Sequence, residues 1–199
     1  MIKVYLAKMP DSKIENLHSK ERMEEINLTK SESVKKEKYW VWKVLEKAIE
    51  YENFSPKEVN FYKDGFGKWK SSNLEFSLTH SGDFVGVAIS DTPVGIDLQK
   101  LVLTNPDKFA NRFLNENDLA KYLAVTESEK IAFLISHWAK LESAFKLFGD
   151  KKTVFDAKID GLFFFEKDLN LEEKPYRLSV CSRQKQEVDF KFLDLKPTL

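Results

Sequence analysis

Hydrophobic positions at the start of the chain follow two different periods. Ile2, Val4 and Leu6 recur at every second position, which predicts an opening strand over residues 2–7. From Ser31 or Ser33 to about Tyr51 the apolar residues instead fall on one face of a helix. Residues 53–57 break that pattern. The first fifty residues therefore indicate a strand followed by a long amphipathic helix.

Strand patterns dominate the next segment. A glycine-bearing stretch over residues 63–69 leads into alternating apolar positions that predict a strand ending near residues 79–82. Residues 84–89 are continuously apolar, as in a strand that is buried on both faces. Residues 91–93 predict a turn, and residues 94–98 predict another short strand.

Helical patterns return after residue 104 and are followed again by strands. Asn105 and Pro106 predict a helix start, since proline has no N–H to leave unpaired in the first turn. Thr126 and Glu129 have the spacing of a capping box, and the long apolar stripe that follows ends near Gly149. Strand-like runs then occupy residues 153–159, 162–165, 176–181 and 188–195.

The order of elements predicts an α+β fold built from two halves, each with a helix followed by strands. We place the join near residues 100–105, which gives an N-terminal half over residues 1–102 and a C-terminal half over residues 103–199. The two halves share the order of their elements but no residue-level repeat.

Composition narrows the class of protein. Of the 199 residues, 42% are hydrophobic, and 32 basic residues balance 32 acidic ones. No overall basic field therefore indicates a nucleic-acid partner, and any anion site must be local. A single cysteine, Cys181, excludes an internal disulfide framework. Without a signal-peptide pattern or an apolar run of about 20 residues, we expect a cytoplasmic protein with no membrane span.

Three short segments carry candidate chemistry. They are Phe66-Gly67-Lys68-Trp69, then residues 76–82 (Phe-Ser-Leu-Thr-His-Ser-Gly) leading to Val94-Gly95-Ile96-Asp97-Leu98-Gln99, and finally residues 138–146 (Trp-Ala-Lys-Leu-Glu-Ser-Ala-Phe-Lys).

Each segment taken alone permits an ordinary structural explanation. Asp97 follows an apolar strand and is either a turn former or a ligand. Glu142 and Lys146 have the spacing of a surface ion pair, yet Glu142 borders the apolar stripe, where a carboxylate needs a partner such as a divalent cation. His80 either bonds a local carbonyl or donates to a phosphate.

Taken in order, the segments resemble the motifs of the 4'-phosphopantetheinyl transferase superfamily, in its larger single-chain type that activates surfactin synthetase. That family shows Gly-Lys-Pro, a Ser-His-Ser-like element, Gly-Ile-Asp-x-Glu, and Trp-x-x-Lys-Glu-(Ser/Ala)-x-x-Lys in this order. The resemblance covers about residues 60–150. It implies a pseudo-dimeric α+β fold with the active site between the two halves.

The resemblance also implies a reaction. The enzyme would transfer the 4'-phosphopantetheine arm of coenzyme A to a serine of an apo-acyl or apo-peptidyl carrier protein, with Mg²⁺ as cofactor and 3',5'-ADP as the leaving group. Lysines and a metal ion would stabilise the charge on the diphosphate. Beyond coenzyme A and the carrier protein we expect no nucleic-acid or membrane partner, and we expect a monomer.

Site roles follow from the resemblance position by position. Asp97 and Glu142 match the metal-binding carboxylates, and Glu142 also matches the glutamate that helps deprotonate the carrier serine. The base would be either Glu142 itself or a magnesium-bound water. Lys146 matches the lysine on the diphosphate. The remaining expected contacts with coenzyme A are made by Lys68, Thr79, His80 and one basic residue of the first long helix, for which Lys35, Lys36 and Lys38 are candidates and Lys38 is retained.

Three residues depart from the family pattern. Gln99 stands in place of a glutamate, so we expect it to offer the metal a neutral oxygen or a water-mediated contact. Leu141 replaces the lysine before Glu142, and Lys140 is not a substitute, because a shift of one residue turns a side chain by about 100° around a helix. Trp69 replaces the proline of Gly-Lys-Pro.

These departures keep two other hypotheses open. One is a catalytically weak relative that still binds coenzyme A or a carrier protein. The other is an unrelated α+β interaction domain in which Glu142 and Lys146 form only a surface ion pair.

Overall fold

A computed structural model describes residues 1–150 and 153–195 of the chain. Within these residues the helices and strands follow one another in this order: β1 (Ile2–Lys8), α1 (Lys20–Asn27), α2 (Glu32–Tyr51), β2 (Phe61–Lys63), β3 (Trp69–Ser71), β4 (Glu75–Ser81), β5 (Phe84–Ser90), β6 (Val94–Lys100), α3 (Pro106–Phe113), α4 (Glu116–Ala124), α5 (Lys130–Phe148), β7 (Phe163–Leu171), β8 (Lys174–Ser182) and β9 (Val188–Leu193). The fold is α+β, as the sequence predicts.

Two sheets and a hairpin contain these strands. The first sheet has the order β4-β5-β1-β9, and the second has the order β6-β8-β7. All neighbours are antiparallel except β1 and β9, which are parallel. Strands β2 and β3 form a separate antiparallel pair. Strands β4 and β6 are therefore both edge strands of their sheets.

The elements pack as four layers. Helix α2 covers one face of the first sheet, where Trp42 and Leu45 meet Val85 and Val87. The other face of that sheet shares a core with the second sheet, formed by residues such as Val4, Leu6, Ile96, Leu98 and Leu178. Helix α5 covers the far face of the second sheet. Because alternate residues of each strand face opposite layers, β1 contributes Val4 to one core and Tyr5 to the other.

The sheets do not divide at residue 102. Strand β6, from the predicted N-terminal half, pairs with β8 of the predicted C-terminal half. Strand β9, near the C-terminal end, pairs with β1 at the N-terminus. Hydrogen bonds between strands thus cross the expected boundary twice. The order of elements in the sequence could not predict these pairings, because it does not show which strands lie side by side.

Most predicted elements are present, and the differences have local causes. The strand predicted over residues 153–159 is wrong: Val154–Asp156 form a short 3-10 helix, because the Asp156 carboxylate accepts the backbone N–H and hydroxyl of Thr153. Helix α5 begins at Lys130 rather than near Thr126, since the Thr126–Glu129 bonds close a preceding turn. The sequence patterns gave no prediction for the short helices α1 and α4.

Within the described residues, none of the helices is both long enough and apolar enough to cross a membrane.

Gly95 sets the approach of α5 to β6. A Cβ atom placed on Gly95 would lie 1.8 Å from the carbonyl oxygen of Ser143 and 2.8 Å from the amide nitrogen of Leu147. Backbone atoms of α5 therefore occupy the space that any other side chain at residue 95 would need.

Gly95→Ala tests this close packing. Because the clash is with helix backbone and no rotamer change relieves it, we expect urea unfolding to show a loss of about 3 kcal/mol in the free energy of unfolding. Gly65→Ala is the control, since a Cβ atom there meets nothing within 4 Å, and it should change stability by at most about 0.5 kcal/mol. Equal stability of the two variants would contradict the packing described for Gly95.

Candidate functional site

The site is organised around the buried carboxylate of Asp97 on β6. Asp97 is 2% exposed, and a buried carboxylate is costly unless it accepts hydrogen bonds. Its Oδ1 accepts Lys146 Nζ at 2.7 Å and Thr79 Oγ1 at 3.4 Å, and its Oδ2 accepts Gln99 Nε2 at 2.8 Å. The three donors belong to α5, β4 and β6, so a single carboxylate links both sheets and the long C-terminal helix.

Glu142 lies one helical turn before Lys146 on α5, next to this carboxylate. Burial raises the pKa of Glu142; the charge of Lys146 opposes that shift, and the negative charge of Asp97 adds to it. The two carboxylates are thus close enough to repel each other. A cation shared by Asp97 and Glu142 would require their carboxylates to lie close together. The two residues lie on opposite sides of the predicted boundary between the halves.

Gln99 is two residues beyond Asp97 on the same face of β6. Its amide nitrogen donates to Asp97, because a carboxylate oxygen can only accept. In this arrangement Gln99 orients the carboxylate. Its expected contact with a metal, through the amide oxygen or a water, stays a prediction.

Lys68 reaches the same region from the loop between β2 and β3. Its Nζ donates to the carbonyl oxygen of Lys146 near the end of α5. Burial lowers the pKa of Lys68, and the nearby charge of Lys70 acts in the same direction. Gly149, which ends α5 with a φ of 68°, leaves room for the Lys68 side chain.

An open cleft of about 360 Å³ lies beside this cluster and is lined by Lys68 and Lys146 but not by Asp97 or Glu142. Lys68 and Lys146 supply its charged groups, and Trp69, Leu78 and Phe145 are among its apolar walls. The cleft thus takes its walls from the β2–β3 hairpin, from β4 and from α5. It combines cationic groups with apolar surface, as expected of a site for an organic phosphate.

His80 and Lys38 lie outside the Asp97 cluster. The His80 side chain is 54% exposed, and its Nδ1 is 3.6 Å from Glu37 of α2. It stands two residues after the cleft residue Leu78 on the same side of β4, about 7 Å further along the strand, and does not itself line the cleft. Lys38 pairs with Glu25 at 2.9 Å and bonds Thr29. Their contacts with coenzyme A stay predictions.

Glu25 gathers a cationic cluster that the sequence did not indicate. Arg22, Lys38 and Lys63 all pair with its carboxylate, at 2.9, 2.9 and 3.1 Å. Trp69, at the position of the family proline, donates its indole N–H to Glu25 at 2.8 Å. Burial opposes the shift, but hydrogen bonds from Lys38 and Trp69 and the charge of Arg22 lower the pKa of Glu25 to about 2. Three cationic side chains around one carboxylate leave a net positive charge next to the β2–β3 hairpin, which contributes Lys63 and Trp69 to the cluster.

Thr79 is 1% exposed, so the structure does not bring it to the surface of the cleft. Its hydroxyl accepts the N–H of Leu98 at 2.9 Å. The hydroxyl of Ser77 likewise accepts the N–H of Ile96 at 3.2 Å, and that of Ser81 accepts the N–H of Lys100 at 3.1 Å. The expected contact of Thr79 with a nucleotide phosphate finds no support in this geometry. The alternating hydroxyls stood in the Ser-x-Thr-x-Ser spacing of the sequence, but nothing there identified their partner strand.

Leu141 and Lys140 occupy the environments that helix geometry predicts. Leu141 is buried. Lys140 points to a different part of the second sheet, where its Nζ pairs with Glu166 at 2.7 Å. Arg177 and Ser136 also bond Glu166. Lys140 therefore does not replace the missing lysine beside Glu142.

Asp97 and Glu142 are the carboxylates available to a divalent ion here. Among residues 1–150 and 153–195, no group of three or more His, Cys, Asp or Glu side chains is arranged to hold a metal. A metal at this site would depend on two carboxylates, with neutral oxygens completing its coordination.

Comparison with known proteins assigns this constellation to a family. The model of the 4'-phosphopantetheinyl transferase superfamily matches residues 93–191, which include Asp97, Gln99, Glu142 and Lys146. The 4'-phosphopantetheinyl transferase gsp of Aneurinibacillus migulanus is 28% identical over 102 residues, or 51% of this chain and 43% of that protein.

The 4'-phosphopantetheinyl transferase psf-1 of Bacillus pumilus is 30% identical over 95 residues, which are 46% of this chain and 40% of that protein. The chain thus spans less than half the length of these curated relatives in the matched regions. The matched range contains β6 and α5, the strand and helix that carry Asp97 and Glu142. The chain belongs to the 4'-phosphopantetheinyl transferase superfamily.

Proposed function

We propose that this chain transfers the 4'-phosphopantetheine arm of coenzyme A to a serine of an apo-acyl or apo-peptidyl carrier protein and releases 3',5'-ADP. The observation that carries the proposal is the bond between Lys146 and the buried Asp97 carboxylate, with Glu142 one helical turn away on α5, beside a cleft that Lys68 also lines. We also propose that the protein acts as a cytoplasmic monomer.

The residues present fit a magnesium ion. Lys146 already places a cationic group 2.7 Å from the buried Asp97 carboxylate, so the surroundings of Asp97 favour positive charge. The repulsion between Asp97 and Glu142 is the interaction that a divalent ion would relieve. Mg²⁺ takes oxygen ligands and retains several waters, so Asp97 and Glu142 would suffice to hold it. When bound, it would supply positive charge to the diphosphate oxygens.

The lysines divide the binding of coenzyme A between them. Lys146 would contact the diphosphate; this is supported by its bond to Asp97 and its position in the lining of the cleft. Lys68 lines the cleft and His80 lies beyond it on β4; together they would hold the phosphate at the nucleotide end. Lys38 belongs to the net positive cluster around Glu25 and would add to the field that attracts this anion.

The reaction needs positioning, a base and charge stabilisation. The serine oxygen of the carrier bonds to the phosphorus that bears the pantetheine arm, and the bond from that phosphorus to the oxygen of the ADP portion breaks. Glu142 accepts the serine proton. Lys146 stabilises the charge on the leaving phosphate. The product is a phosphodiester on the serine, without a covalent enzyme intermediate.

A second candidate function is binding of coenzyme A or a carrier protein with weak catalysis. It is favoured by the internal neutralisation of Asp97, whose oxygens are already engaged by Lys146 and Gln99. Incubation of the chain with coenzyme A, an apo-carrier and Mg²⁺ separates the two functions. Transfer that is removed by a chelator supports the enzyme, and binding without any transfer supports the second candidate.

A magnesium titration of arm transfer tests the metal ligands. Asp97→Ala and Glu142→Ala each remove one of two charged ligands, so we expect the rate to fall by at least about 100-fold at any magnesium concentration. Gln99→Ala should be milder, because water can replace a neutral oxygen, although loss of its bond to Asp97 should weaken metal affinity by about 10-fold. Gln99→Glu should reach half its maximal rate at a lower magnesium concentration, since it adds charge.

The comparison within this series is decisive for Gln99. If folded Gln99→Ala were as inactive as Asp97→Ala, the amide would be an essential ligand and the account of two carboxylates would be wrong.

Steady-state kinetics test how binding and turnover are divided among Lys68, His80 and Lys146. Lys68→Ala and His80→Ala should raise KM for coenzyme A by about 10-fold and leave kcat within about 3-fold, because contacts with the nucleotide end change little during reaction. Lys146→Ala should lower kcat as well, since charge develops on the diphosphate. Lys140→Ala, on the same helix but paired with Glu166, is the control. Equal losses of kcat in Lys68→Ala, His80→Ala and Lys146→Ala, with KM unchanged, would contradict this division of roles.

A further inference from the structure

The free edges of the two sheets meet through side-chain hydroxyl groups. Strands β4 and β6 are edge strands of different sheets and share no backbone ladder. Ser77, Thr79 and Ser81 of β4 instead accept the N–H groups of Ile96, Leu98 and Lys100. Alternate residues of a strand face the same side, so three hydroxyls at every second position match three N–H groups at every second position. We refer to these three bonds as the hydroxyl ladder.

Thr79, the middle residue of the hydroxyl ladder, differs from its two neighbours. Besides accepting the N–H of Leu98 at 2.9 Å, its hydroxyl donates to Asp97 Oδ1 at 3.4 Å. The nitrogen of Leu98 belongs to the same planar peptide unit as the carbonyl carbon of Asp97. One hydroxyl therefore holds Asp97 both through its main chain and through its carboxylate.

The rotamer of Thr79 is fixed by its surroundings. Threonine is branched at Cβ, so its χ1 torsion has few accessible values. Thr79 lies opposite Gly86 of β5, and a Cβ atom on Gly86 would be 3.4 Å from the Thr79 methyl group. That distance is an ordinary van der Waals contact, and it is the Leu6 side chain, 2.1 Å from the same point, that needs the glycine. The two hydrogen bonds of the Thr79 hydroxyl are what direct it toward β6.

We propose that Thr79 is a positioning residue for Asp97, which it holds at the junction of the two sheets, and that it does not touch the substrate. The inference rests on the proposed function, in which Asp97 is a metal ligand. A group that orients a metal ligand typically changes metal affinity by 10- to 100-fold when removed. Ser77 and Ser81 make the same kind of bond to β6 without contacting a carboxylate, so they position only the main chain of that strand.

The test compares Thr79→Val with Ser77→Ala, the parent and Thr79→Ser. Each of the first two variants removes one buried hydroxyl of the ladder. Binding of Mn²⁺ to the protein without coenzyme A, followed by loss of the free-ion electron paramagnetic resonance signal, measures metal affinity directly. We expect Thr79→Val to weaken Mn²⁺ binding by about 10-fold or more, Ser77→Ala to leave it within about 2-fold, and Thr79→Ser to restore it.

Amide hydrogen exchange supplies a readout that does not depend on function. Loss of an accepted bond should speed exchange at Leu98 in Thr79→Val and at Ile96 in Ser77→Ala, by about 10-fold in each case. In arm transfer, Thr79→Val should need more Mg²⁺ for half its maximal rate, with KM for coenzyme A unchanged.

The possible failures are distinguishable. If Thr79→Val and Ser77→Ala bind Mn²⁺ equally in an active protein, Thr79 has only the structural role of its neighbours and the inference is overturned. A raised KM for coenzyme A with unchanged Mn²⁺ affinity would restore Thr79 as a phosphate contact and overturn it as well. A parent that neither binds Mn²⁺ nor transfers the arm would overturn the proposed function itself, even where exchange at Leu98 follows the hydroxyl ladder.

Discussion

A carboxylate that is only 2% exposed must be hydrogen-bonded by its own protein, and Asp97 meets this requirement with donors from three elements. Lys146 approaches from α5, Thr79 from β4 and Gln99 from β6. Each donor limits where its element can lie, because a hydrogen bond weakens quickly with distance and angle. The position of α5 over β6 is limited a second time by Gly95, whose missing side chain admits the helix backbone. The site and the junction of the two sheets thus depend on the same few contacts.

The same contacts explain how the site could act. The Lys146 ammonium group compensates the charge of the buried Asp97 carboxylate in the absence of a metal. Asp97 nevertheless stays ionised and can therefore bind a divalent ion. Glu142 is close enough to Asp97 for their repulsion to raise its pKa together with burial. The cleft beside them carries Lys68 and Lys146 on a largely apolar wall. Cations, two carboxylates and an apolar surface are the components on which the proposed phosphopantetheine transfer relies.

Sequence patterns predicted the elements of the site better than their arrangement. The helix of Glu142 and Lys146 and the strand of Asp97 followed from apolar periodicity, and their family from the order of short motifs. The pairing of β6 with β8 and of β9 with β1 could not be predicted, since it depends on contacts between distant segments. Thr79 illustrates the same limit: the family resemblance implied a phosphate contact, but its burial and its bond to Leu98 depend on which strand lies opposite.

A double-mutant cycle on Asp97 and Lys146 tests the central claim that their pair joins the sheets and α5. Asp97→Asn and Lys146→Met should each destabilise the protein in urea unfolding, since each leaves the other charge partly buried without its partner. The double variant has neither charge, so it should be more stable than the sum of the single losses predicts, with a coupling energy of about 2 kcal/mol. Losses that add to within about 0.3 kcal/mol would show that the two residues do not depend on each other and would contradict this account.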